Sequence, residues 1–427
     1  MTATLLARRP LAASLAVIAL AATAGTLAVA TQPDDAPRGP VDLSAEAPPM
    51  EGVRLVTVLD GLTRPWGMVW LPEATFEDGD DPTTDTDADA ADAPTSFDML
   101  ITERGGALRL VRDGILQTEP VPGAPEVFAG GQGGLLDISL HPDFADNGYV
   151  YLTYSIGDRS ANRVAMGRGT FDGERLNDFQ ELFRNDRTKR GGQHFGSRIL
   201  WLPDGTMLLS TGDGGNPPVR LDGEFIRNKA QDLGSHFGKV LRFNDDGTIP
   251  DDNPFVGRDG ADPAVYSFGH RNIQGMALDP DTGRVWANEH GARGGDELNI
   301  VEPGKNYGWP EVTYSREYFG PRISPDTAAP QVVDPVVVWT PCIAPSGAAF
   351  YTGDQHPEWR GDLFNGALVL EHVRYVDLDE QGNVLDEREI RTGKRVRDVR
   401  QGPDGHLYII TDEPNGELIR IERTDQR

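Results

Sequence analysis

The chain carries one cysteine, Cys342, in 427 residues. No intrachain disulfide can form, and a chain of this length can build its core without one. Zinc is poorly provided for. The 8 histidines show no H-x-x-x-H spacing, and only one thiol could join them. No G-x-x-x-x-G-K-[ST] phosphate loop occurs, and no βαβ unit supports a dinucleotide fingerprint. Positive charge is scarce: 40 Lys and Arg stand against 67 Asp and Glu, a net charge of −27. That balance argues against nucleic acid and anionic membrane as partners. Long runs of helical periodicity are lacking too. What the chain has in quantity is turn formers, 50 Gly and 32 Pro, which favours a turn-rich β protein.

Two segments stand apart in composition. Arg8 and Arg9 precede a small-residue apolar run ending Ala28-Val29-Ala30. This reads as an export signal over residues 1–30, cleaved after Ala30, with no membrane span left afterwards. An uncleaved anchor is the alternative, and the export route is left open by the Arg8-Arg9 pair. The expected location is periplasmic, secreted or cell-surface. Residues 31–50 read as a Pro-rich linker. Nine acids and no Lys or Arg fall within residues 73–92, so 73–97 reads as a disordered, solvated insertion.

The remainder is repetitive. An apolar strand, a turn built on Pro-Asp-Gly or a relative, and a second strand recur. The clear copies are ILWLPDGTMLLSTGD (199–213), DISLHPDFADNGYVYLTYS (137–155), MALDPDTGRVWANEHG (276–291) and VRQGPDGHLYIITDE (399–413). Weaker copies are MVWLP (68–72) with DMLITERGG (98–106), split by the acidic insertion, and SGAAFYTGD (346–354). Their turn prolines or equivalents are Pro72, Pro142, Pro203, Pro280, Pro345 and Pro403. Each copy has the marks of a β-hairpin. Six copies with long intervals predict an all-β, six-bladed β-propeller of four-stranded blades over 51–425, with its long loops on the site face. GELIRIER (416–423) is expected to complete a blade with VRLVTVLDG (53–61).

Polar, glycine-rich segments fall where loops are expected: AGGQGGLLD, GGQHFGSR, GHRNIQG, NEHGARGGDELN and GKRVRDVR. Equivalent loops of a propeller converge, so these can form one site. His194 precedes a hairpin whose return strand ends at Asp213. A carboxylate on one imidazole nitrogen raises the basicity of the other, as a general base requires; a capped turn is the structural alternative. Arg271, Arg395 and Arg397 suit an anionic ligand. The carbonyls and acids of NEHGARGGDELN suit Ca²⁺. His236 and His270 read as structural.

At this point the motifs resemble a known family. GLTRPWGMVWLP, GGQGGLLDISLHPDF, QHFGSR with PDGTMLLSTGDGG, GKVLRFNDDGTIPDDNPF, YSFGHRNIQGMALDP, NEHGARGGDELN, KNYGWP, IAPSGAAFY and RVRDV occur in that order over about 52–423. The chain is similar to the soluble quinoprotein aldose sugar dehydrogenases of the glucose/sorbosone dehydrogenase family. The resemblance implies oxidation of an aldose at its anomeric carbon to a lactone. Hydride passes to pyrroloquinoline quinone (PQQ), and an external acceptor takes the electrons. It implies His194 as general base, Asp213 as its partner and Arg271 at the quinone oxygen. Gln132, His194, Arg271, Asn272, Ile343, Ala344, Pro345, Ser346, Gly347, Arg395 and Arg397 match positions around the cofactor, which carries three carboxylates. The carbonyls of Gly291 and Ala292 match ligands of the cofactor's Ca²⁺, and Glu297 with the Tyr307 carbonyl matches a second Ca²⁺ site. A homodimer is compatible with this reading. The chain departs from the pattern at Val369, where a cofactor-binding lysine is usual; Arg374 is a candidate substitute. Ala292 replaces a usual proline. Two alternatives stay open: a propeller lactonase or other hydrolase with a channel metal, and a non-catalytic sugar-binding propeller.

Overall fold

The segment ILWLPDGTMLL folds as its pattern predicts. Gly196–Trp201 and Met207–Thr211 pair antiparallel, and the Leu202 amide closes the turn by donating to the Thr206 carbonyl at 2.8 Å. The computed structural model describes residues 46–72 and 97–424. The expected export signal, residues 31–45 of the expected linker and all but the last residue of the acidic insertion lie outside the described residues.

Six such hairpins each open a four-stranded antiparallel sheet. Blade 1 consists of Pro65–Trp70, Met99–Glu103, Leu108–Arg112 and Ile115–Leu116. Blade 2 consists of Leu135–Leu140, Tyr149–Gly157, Asn162–Phe171 and Leu176–Arg184. Blade 3 adds Lys239–Phe243 and Val265–Phe268 to the first hairpin described. Blade 4 consists of Ile273–Leu278, Val285–Glu289, Asp296–Val301 and Val337–Trp339. Blade 5 consists of Pro345–Phe350, Leu363–Ala367, His372–Leu378 and Val384–Arg391. Blade 6 takes Val396–Gln401, Leu407–Thr411 and Gly416–Arg423 from the C-terminal end, and Val53–Leu62 as its fourth strand. That last pairing closes the propeller as expected, with Val53 opposite Arg423. The first strands contact one another in series, and blade 6 contacts blade 1. One detail differs from the sequence reading. Pro345 begins the first strand of blade 5, whose turn is the longer 351–362 segment.

Position within a blade dictates composition. Second strands such as Met99–Glu103, Met207–Thr211 and Leu407–Thr411 are buried throughout, because both faces pack on neighbouring blades. The fourth strand of blade 2 is mostly half-buried or exposed, with only Leu176 and Phe183 buried, as an outer strand covered on one side is. The inner wall is pinned by charge. Arg198 of blade 3 holds Asp137 of blade 2 at 3.1 Å and Asp398 of blade 6 at 3.0 Å, with Trp66 of blade 1 under its guanidinium. All three charged groups are buried. Among the described residues no helix is long and apolar enough to cross a membrane.

Candidate active site

The hairpin geometry explains why distant loops meet. In every blade the start of the first strand pairs with the end of the second: Pro65 with Glu103, Leu135 with Tyr154, Gly196 with Thr211, Ile273 with Glu289, Pro345 with Ala367, and Val396 with Thr411. A register shift follows each of these pairs, so all six hairpins bend at the same end. Residues just before the first strand and just after the second therefore surround the propeller axis. Gln132, His194, Asp213, Arg271, Asn272, His290, Ala344, Arg395 and Asp412 all occupy such positions.

His194 and Asp213 form the pair expected from the sequence. His194 Nδ1 lies 2.6 Å from Asp213 Oδ1, and both side chains are buried. Asp213 also accepts the Gly215 amide at 2.9 Å and the Trp309 indole N–H at 2.7 Å. Surrounded by donors, it is ionised; burial opposes this, but His194 and Arg271 hold its pKa below the usual carboxylate range. An ionised carboxylate only accepts, so Nδ1 of His194 carries the proton and Nε2 keeps its lone pair. Burial, then the Arg271 charge, lower the His194 pKa; Asp213 opposes them and Lys189 reinforces them. His194 is thus a neutral base in water near pH 7.

The backbone places this ring. His194 has φ of +52°, a left-handed conformation uncommon outside glycine, and its amide donates to Gln132 Oε1 at 2.7 Å. A Cβ on Gly212 would lie 2.2 Å from the His194 carbonyl oxygen, so only glycine lets the two strands approach this closely.

Arg271 is fixed from three sides. Its Nη1 donates to the His290 carbonyl and its Nη2 to Asn216 Oδ1, both at 2.8 Å, and its guanidinium lies 5.1 Å from the Trp309 ring. Among the described residues its Nε is buried without a partner, as is Nε of Arg397. Two orphaned guanidinium donors in one site suit an anionic ligand with carbonyl or carboxylate oxygens. Asn272 Oδ1 accepts the Gly196 amide at 3.0 Å. His290 donates from Nε2 to the Pro345 carbonyl at 2.7 Å, and burial followed by the Arg271 charge pushes its pKa down to about 3.

The 343–347 segment divides. Ala344, at φ +54°, and the Pro345 carbonyl reach the site through Asp296 and His290. Ile343 packs in the hydrophobic core between blades 4 and 5. The Ser346 hydroxyl donates to the Val396 carbonyl, and a Cβ on Gly347 would sit 1.9 Å from Asp398 Oδ1. These three residues face neighbouring strands. Val369 is exposed at 55% and brings no charge. Arg374 does not replace the usual lysine: it is fully buried and paired with Glu387 at 3.1 Å.

Among the described residues no three His, Cys, Asp or Glu side chains cluster as metal ligands. The expected Ca²⁺ positions rely on carbonyls and single acids. Gly291 and Ala292 lie in a tight turn where Gly291 donates to Asp296 Oδ1 at 2.7 Å. Glu297 is buried beside Glu289, Asp296 and Asp334; burial first, then Glu289, hold its pKa well above the usual range. His270 and His236 are structural, as expected: His270 lies between Ser267 and Glu289, and His236 is bound to Asp262.

Several site residues escaped the sequence reading: Trp309, Asn216, His290, Lys189, Arg64, Arg104 and Asp412. Arg104 and Asp412 had a signal, because TERGG and ITDE end second strands just as STGDGG does. Trp309 had none, since the long 302–336 connection delivers it.

The fold is a six-bladed propeller whose loops bring a buried histidine–aspartate pair together with arginine side chains. Residues 89–420 match the glucose/sorbosone dehydrogenase family, and the chain belongs to that family. An uncharacterised Synechocystis protein is 53% identical over 87% of this chain and 86% of its own. Aldose sugar dehydrogenase YliI of Escherichia coli is 39% identical over 86% of this chain and 92% of its own. The crystal structure of soluble aldose sugar dehydrogenase from Escherichia coli in its apo-form superposes with a TM-score of 0.77 at 38% identity, covering 87% of this chain and 99% of that one. The PQQ-bound aldose sugar dehydrogenase from Streptomyces coelicolor gives 0.63 at 28% identity, covering 88% and 100%. The protein is a sugar-oxidising oxidoreductase, and these relatives do not favour the hydrolase or the non-catalytic alternative.

Proposed function

We propose that the protein is an exported, PQQ- and Ca²⁺-dependent aldose dehydrogenase that oxidises the anomeric carbon to a lactone and passes electrons to an external acceptor. The observation that carries this reading is the buried His194–Asp213 pair beside two guanidinium groups with unpartnered donors. Bound PQQ would supply a quinone that accepts hydride. Arg271, Arg395, Arg397, Asn272 and Gln132 would hold it, with Ca²⁺ at the carbonyls of Gly291 and Ala292 and a second ion at Glu297 and the Tyr307 carbonyl.

The chain's own residues define the proton step. Nε2 of His194 takes the anomeric hydroxyl proton, and Asp213 stabilises the imidazolium that results. Trp309 and the Gly215 amide keep Asp213 aimed at Nδ1. Arg271 places positive charge where negative charge develops on the acceptor. The apolar run before Ala30 supports export, and a homodimer remains part of the proposal.

The test is reconstitution. Apo-protein with PQQ and Ca²⁺ should reduce an artificial electron acceptor with at least one of a panel of aldoses. No cofactor-dependent reduction with any sugar would overturn the reading.

A further inference from the structure

Blade 1 supplied no residue to the site predicted from sequence, yet the structure brings two of its arginines there. Four guanidinium groups surround Asp412, which follows the second strand of blade 6. Arg397 Nη2 donates to Oδ2 at 2.6 Å. Arg64 lies 3.6 Å from Oδ1, and Arg395 and Arg104 lie 3.8 and 3.9 Å from Oδ2. Two other acids nearby are engaged elsewhere, Glu103 by Arg109 and the Thr63 amide, Glu417 by Lys394 and Thr57. Four cations less one carboxylate leave three positive charges in this cluster.

The crowding is felt by its members. Burial opposes ionisation of Asp412, but Arg397 and Arg104 hold its pKa down at about 2. Arg104 is shifted down by burial and by Arg397, Arg64 and Arg395, with Asp412 opposing. Uncompensated like charges cost stability unless an anion joins them. The cluster is continuous with the site. Arg397 Nη1 donates to Gln274 Oε1 at 3.2 Å, and Gln274 reaches Asn272 at 3.4 Å. Arg395 donates to the Leu368 carbonyl at 2.9 Å, beside Val369. The Gln132 loop lies on Arg104: a Cβ on Gly134 would fall 2.8 Å from Arg104 Cγ.

We propose that Arg64 and Arg104 join Arg395 and Arg397 in one carboxylate seat, and that Arg104 supplies the cationic contact Val369 does not. The seat rests on the proposed cofactor, a tricarboxylate quinone. Arg104 is exposed enough to turn toward a ligand, its side chain being 18% accessible and 3.9 Å from its nearest acid. An ion pair made by the planar fork of arginine would then take the place of the usual lysine contact.

The test is a binding titration, independent of turnover: PQQ quenching of tryptophan fluorescence in apo-protein with Ca²⁺. Arg104→Gln should weaken binding by about tenfold or more, the scale of one charge-assisted contact, and leave the apo melting temperature unchanged or higher. Val369→Lys should restore affinity in the Arg104→Gln background and change it less than about twofold in the wild type. Wild-type affinity in Arg104→Gln would overturn the seat while leaving the cofactor reading intact. Should Arg104→Gln not fold, Val369→Lys alone decides: a gain of about tenfold in the wild type would show the contact missing and overturn the proposal. No binding by the wild type would overturn cofactor and seat together.

Discussion

Trp309 donates its indole N–H to Asp213 Oδ2 at 2.7 Å while the other oxygen of that carboxylate holds His194 at 2.6 Å. A residue 96 positions away thus aims the base. Trp309→Phe keeps an aromatic side chain beside Arg271 and removes the donor. Turnover of the PQQ-loaded variant should fall about tenfold, in line with the loss of one hydrogen bond to a charged group, with PQQ affinity retained. Equal turnover in variant and wild type would show that Asp213 needs no such support.

The closeness of the two hairpin arms makes a second prediction. Gly212→Ala forces a methyl group into the His194 carbonyl, 2.2 Å from where the Cβ would stand. The soluble fraction of this variant should melt lower and lose more than about tenfold in turnover, because the base moves with its backbone. A variant as active as wild type would mean the strand approach has no part in placing His194.

The inner ring predicts a stability loss without a direct effect on the site. Arg198→Met leaves Asp137 and Asp398 buried and unpaired except by Arg400. Breaking a buried pair this way costs about 3–5 kcal/mol, which chemical denaturation would read as a lower midpoint. Loss of less than about 1 kcal/mol would assign the ring's stability to hydrophobic packing alone.

The pH dependence follows from the charges facing His194, namely Asp213, Arg271, Lys189 and, beyond Arg271, His290. The base works unprotonated. Burial and Arg271 lower its pKa, so activity should persist below pH 6.5, the ordinary histidine value, before the acid limb falls. Lys189 is buried, its Nζ has no hydrogen-bond partner among the described residues, and burial pushes its pKa down to about 7. Lys189→Met removes a positive charge near His194, raises the His194 pKa and moves the acid limb to higher pH. A profile of kcat/KM against pH checks both directions, and a limb that shifts down would contradict the assignment.

Much of this was legible in the sequence because the repeat is local. A Pro-Asp-Gly turn between apolar strands is written in about fifteen residues, and six copies with a terminal strand left over define a closed propeller. His194 and Asp213 were legible for the same reason: one hairpin carries both. Trp309 was not, since a long connection delivers it and nothing nearby in sequence fixes its partner. Arg104 lay between these cases. TERGG ends a second strand just as TGDGG does, but the acidic insertion split that hairpin and hid the equivalence. Ser346 and Gly347 matched the family pattern yet face adjoining strands, because motif identity does not say which side of a strand a residue presents.

The most direct measurement is turnover of His194→Ala, loaded with PQQ to the same occupancy as wild type by fluorescence titration. The variant should bind the quinone normally and oxidise aldoses about 10²-fold more slowly or worse, the usual scale for loss of a general base. Wild-type turnover at equal occupancy would contradict the assignment of His194, and with it the proton step proposed for this site.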